Sequence, residues 1–281
     1  MLPHWTRPLV LSAILASACN GGTPPTPPPT APPEPPPAPA APPSLDLATL
    51  QAQAENVALT PSPAEMQATL AKAQIAQPLA DLVQQRKVNM DTPNLDRVAV
   101  RTGVLVADVV LTVKAASKED LVARLQAIQK GMQQLGGGPD IDNTLTDLAS
   151  RIQNDAVSRD ELVRDLDELS GVIIPEVKYE AGERVVPLIQ AGSWLEGANL
   201  VSTAVTNSGQ FQAADALLRQ PEVVDYFLAV VKVEGGAAPD EVIAKLEASL
   251  TSLKEITSKP TLTADDVKSI HEQTNAVLAL L

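Results

Sequence analysis

Apolar residues recur along most of this chain with a period near 3.6, the spacing of one helix face. Leu121, Leu125, Ile128, Met132 and Leu135 step by 4, 3, 4 and 3 positions. Ser117, followed by Lys118, Glu119 and Asp120, reads as an N-cap with acidic first-turn residues, and Gly136 to Gly138 read as the stop. The same grammar starts helices at Ser158, with Leu162, Leu166, Leu169 and Ile173, and at Pro239, with Val242, Leu246, Leu250 and Leu253. Another starts at Thr263. Further helices are predicted over 45–58, 62–85, 93–115, 140–156, 183–206 and 210–233. The ambiguous piece is GVIIPEVKYEAG, which Pro175 breaks. The expectation is an all-α fold, a multi-helix bundle of about ten helices after a disordered proline-rich stalk.

Three segments are apolar nearly all round: VAVRTGVLVADVVLTVK, VVPLIQAGSWLEGANLVSTAV and PEVVDYFLAVVKV. Such a helix is central in a bundle or lies in a membrane. Only 12 residues separate Arg101 from Lys114, and Asp108 sits among them. A span needs about 20 apolar residues, so these are predicted core helices. Ala99, Gly103 and Ala107 share one face, as do Ser193 and Gly197, which would admit a close neighbour. A faint internal echo pairs Gly103 with Gly192 and Leu111 with Leu200 at one offset of 89 residues.

Hydrophobic residues make up 44% of the chain and aromatics only 2%, so Ala, Leu and Val must fill the core. With 21 basic and 34 acidic side chains the formal charge is −13, and no Lys/Arg stripe with interleaved aromatics appears. An acidic surface repels phosphate backbones, which argues against a nucleic-acid partner. The single cysteine, Cys19, excludes an internal disulfide and any thiolate cluster.

Cys19 lies in LSAILASACNGG, behind the ten-residue apolar run LVLSAILASA and a short positive start at Arg7. That run is too short to span a bilayer and reads as an export signal over 1–18. With Ala16, Ser17 and Ala18 before the cysteine, it resembles the lipobox of bacterial lipoproteins, although Ala16 stands where that pattern usually has Leu and Leu15 falls one residue early. The resemblance implies a diacylglycerol thioether on Cys19, cleavage before it, and an acylated amine. Asn20, rather than Asp, follows the cysteine. In lipoproteins of gram-negative bacteria that favours the outer membrane. GVLVAD and AGSWLEG also resemble patches of uncharacterised helical lipoproteins of such bacteria, a likeness that implies no activity.

Residues 19–43 are predicted to be the lipidated cysteine and a linker, and 44–281 the helical domain. Within the linker, 13 of residues 23–43 are Pro. Polyproline II would give a semi-rigid spacer of about 65 Å at about 3.1 Å per residue, or a ligand for a groove that reads such segments.

Candidate chemistry is sparse. Asp108 and Glu196 lie inside two of the most apolar helices, and an unpartnered buried carboxylate costs several kcal/mol or shifts its pKa upward. Arg101 and Arg97 are same-face neighbours of Asp108; Asn199 and Trp194 accompany Glu196. These residues make either a polar ligand pocket between helices or a satisfied structural network. No GxSxG, HExxH or Glu-x-x-His occurs, so no catalytic residue, metal site or cofactor is assigned. His271 falls at the edge of its helix's inner face, and Asp140 and Asp142 suit a helix start better than a calcium loop, since Leu145 and Arg151 stand where that loop needs Gly and Glu. The expected function is a non-enzymatic envelope protein, held by lipid at Cys19, whose helical domain meets a protein partner or scaffolds an assembly. The alternative is a small-molecule binding module around Asp108 and Glu196.

Overall fold

Helix starts are set by side chains that accept from first-turn N–H groups. Ser62 with Glu65, Ser158 with Glu161 and Thr263 with Asp266 each form a reciprocal capping box. Asn94 accepts from the Arg97 N–H, Ser117 from Asp120 and Asp240 from Val242. Pro63, Pro139 and Pro221 occupy first-turn positions where a missing N–H does no harm. A computed structural model, which describes residues 61–75, 78–83, 90–169, 177, 182–232 and 240–281, has ten α-helices there, and all but those beginning at Val185 and Ala214 start with one of these signals.

The helices are α1 (Pro63–Lys72), α2 (Leu95–Thr112), α3 (Lys118–Gln134), α4 (Pro139–Gln153), α5 (Arg159–Glu168), α6 (Val185–Ser208), α7 (Ala214–Leu218), α8 (Pro221–Val231), α9 (Glu241–Thr257) and α10 (Ala264–Leu278). Single 3-10 turns cover Leu79–Leu82 and Phe211–Ala213. No strand occurs among the described residues, and the fold is all-α. They all belong to one compact unit, Asp46–Leu281. The segment 1–18, Cys19, the linker to residue 43, the helix predicted over 45–58 and most of GVIIPEVKYEAG lie outside the described residues.

Two predicted helices are each broken in two. The stretch 62–85 ends its helix at Lys72, where Gln74 takes φ 59° and the Ile75 N–H returns to the Leu70 carbonyl; Pro78 then precedes a separate 3-10 turn. The stretch 210–233 divides at Pro221, whose ring is incompatible with continuing the helix before it. Gly136 (φ 84°) and Gly209 (φ 69°) close α3 and α6 in the left-handed conformation that favours glycine.

α2 and α6 form the centre. From Val98 through Val109 every residue of α2 is buried, and α6 is buried almost throughout from Val185 to Val205. They run in the same direction, because Arg184 at the start of α6 pairs with Asp96 in the first turn of α2 at 3.1 Å, and the two helices cross further along at Gly103 and Gly192. α3 packs on α2 and α4 on α3, antiparallel, with Gln129 reaching both Asp142 and Thr146. On the other side α10 packs antiparallel on α6, α9 on α10, and α8 on α9 and α6. α1 lies against both central helices. The third apolar segment is not central: α8 buries Val223, Val224, Phe227, Leu228 and Val231 but exposes Glu222, Asp225 and Ala229.

Arginines join the ends of helices distant in sequence. Arg159 donates to the Val113 carbonyl at 2.8 Å and the Ala116 carbonyl at 3.0 Å, finishing α2. Arg184 donates to the Val230 and Val231 carbonyls, where α8 ends, as well as holding Asp96.

Candidate functional site

Thirteen residues of α2 are buried, and Asp108 is among them at 2% exposure. Its carboxylate forms an ion pair at 3.0 Å with Arg124, which α3 brings across the α2–α3 contact. Arg124 stands on the inner stripe of α3 between Leu121 and Ile128, so helical spacing aims its guanidinium at α2. Such a pair forms because a carboxylate taken out of water needs a compensating charge. Of the two arginines in its own helix, Arg97 points elsewhere: its Nε donates to Asp240 Oδ1 at 2.9 Å, clipping the start of α9 to α2. Asp240 Oδ1 also accepts from the Val242 N–H, so one carboxylate oxygen caps α9 and holds the clip. Arg101 is 6% exposed, and burial lowers its pKa, with Arg97 adding to the fall and Asp240 opposing it.

α6 carries the second group of polar residues. Glu196 is fully buried and Asn199 is 2% exposed; with Thr203 they share one helix face, which α10 meets at Asn199 and Thr203. Asn199 Nδ2 donates to Thr274 Oγ1 at 3.0 Å and lies 3.3 Å from His271 Nδ1. Thr203 Oγ1 is 3.2 Å from the same ring nitrogen, and 2.9 Å from the Asn199 carbonyl, to which it donates. Ser202 and Thr206 likewise bond back to carbonyls of their own helix, so hydroxyls inside α6 are satisfied without a ligand. The Thr203 hydroxyl lies closer to the Asn199 carbonyl than to the His271 ring.

Trp194 takes a third direction. Its indole Nε1–H donates to Gln220 Oε1 at 2.8 Å, and its ring stacks obliquely on Phe227 with centroids 5.8 Å apart. Gln220 stands at the N-cap position of α8, its side chain bonded to Trp194 and the Leu217 carbonyl rather than to the helix it precedes. The four residues singled out in the sequence are thus all buried, and the described ties of three of them lead to different interfaces: Asp108 to α3, Asn199 to α10 and Trp194 to the N-cap position of α8.

Sequence reasoning missed Arg124, which is a cation standing inside an otherwise apolar stripe. It placed His271 at the edge of its helix, and the ring is half-buried there, but its partnership with Asn199 and Thr203 left no trace in spacing. Asp140 and Asp142 do stand in the first turn of α4, where Asp142 Oδ1 accepts from Gln129 and Gln133. Among the described residues no three His, Cys, Asp or Glu side chains gather as a metal ion would require, and no helix is long and apolar enough to cross a membrane. Comparison with protein families, with curated proteins and with solved structures gives no match.

Proposed function

We propose that this chain is a lipid-anchored protein of the bacterial cell envelope, at the outer membrane, whose helical domain is a non-enzymatic interaction or scaffold module. Cys19 carries the lipid in this reading and the proline-rich segment holds the domain away from the bilayer. One observation supports the scaffold assignment above the others. Three polar side chains inside the bundle are tied to neighbouring elements: Asp108 to Arg124, Asn199 to Thr274 and Trp194 to Gln220. A ligand recruiting any of them must first break a tie between helices, and a group left unpaired in a core costs about 1–3 kcal/mol.

The anchor and the domain are tested separately. Cys19→Ser is expected to release the chain from the membrane fraction or leave it unprocessed; fractionation and mobility identical to the original chain would remove the anchor. Cross-linking in native membranes, followed by capture of the full chain, is expected to recover a defined protein partner or a higher assembly. A melting temperature raised by a small molecule in the original chain, but not in Asp108→Asn, would instead assign the domain to ligand binding.

A further inference from the structure

We draw no further inference here: the strongest candidate, the His271, Asn199, Thr203 and Thr274 cluster between α6 and α10, belongs to the site already described, where its polar atoms serve to dock α10 on α6.

Discussion

Gly103 and Gly192 each occupy the place where the other's helix passes. A Cβ on Gly103 would overlap the Ile189 carbonyl and lie 2.8 Å from its carbon and 2.9 Å from Ser193 N. A Cβ on Gly192 would overlap the Val100 carbonyl and lie 2.9 Å from its carbon. Each glycine therefore meets the residue three positions before its counterpart, so the contact is reciprocal. Backbone here packs on backbone, at a separation that any side chain would prevent.

Glycine to alanine within a helix normally stabilises by about 1 kcal/mol. Gly103→Ala and Gly192→Ala are expected to reverse that sign, because the obstruction is main chain on both sides; the net loss should be about 1–3 kcal/mol in a urea melt. Gly131→Ala offers the contrast. Its added Cβ would meet side chains rather than main chain, the Met90 methyl and the Thr102 hydroxyl, which bonds the Val98 carbonyl, so it should cost less. A stabilised Gly103→Ala would show that the two helices are further apart than described.

Asp108→Leu should destabilise by about 3 kcal/mol, because it leaves the Arg124 guanidinium in a largely buried place without its anion. The double change Asp108→Leu with Arg124→Met should recover more than half of that loss. Equal stability of the single and double variants would mean that the ion pair is not what holds Asp108 in the core.

Asn199→Ala removes the donor that joins α6 to α10 at Thr274 and His271. The expected cost is about 1–3 kcal/mol. The loss should be local as well as global, with hydrogen exchange accelerating along α10 more than along α3. Uniform acceleration across both helices would show that the amide is not specific to this interface.

Asp266 supplies a pH-dependent term. Burial alone would raise its pKa, but the Lys259 ammonium and the Thr263 N–H and hydroxyl outweigh burial, and the net direction is down from 3.8. A carboxyl whose folded pKa is depressed contributes stability that is present above its unfolded pKa. That stability is lost as pH falls through the folded value. Asp266→Asn should therefore shrink the fall in melting temperature measured between pH 5 and the acid end of the curve. An unchanged acid slope would discount the capping box at α10 as its source.

How far the sequence could be read depended on the range of each signal. Caps and stripes are local, so Ser117, Ser158 and Thr263 marked helix starts that the structure places at those residues. Asp108 was visible as an acid in an apolar helix, whereas the identity of its partner depended on how α3 folds back. Gly192 was noticed only as an echo of Gly103, and the face assigned to close packing was that of Ser193 and Gly197. In the structure Gly197 meets Met66 of α1 and Gly192 meets α2. Helix spacing identifies the rows of small residues on a cylinder but not which neighbour each row faces. Asn199 and His271, 72 positions apart, carry no sequence signal of their meeting. The break at Pro221 was legible in principle, since proline is a local signal; the other falls at Gln74, whose left-handed backbone no glycine or proline marks.

The parallel course of α2 and α6 bears on how the chain acquires its structure. Two adjacent helices pointing the same way need a connection that travels back to the starting end, and residues 113–184 make that return journey. The largest helix–helix contact among the described residues is therefore made between segments remote in sequence, the kind of contact that slows folding relative to a simple up-and-down bundle. During synthesis from the N-terminus, α2 emerges with nearly its entire circumference apolar and its principal partner still to come. A chain ending at Glu183 should accordingly aggregate or bind a hydrophobic dye, while the full chain should not; a soluble, cooperatively melting fragment would mean that α3 to α5 alone shelter α2.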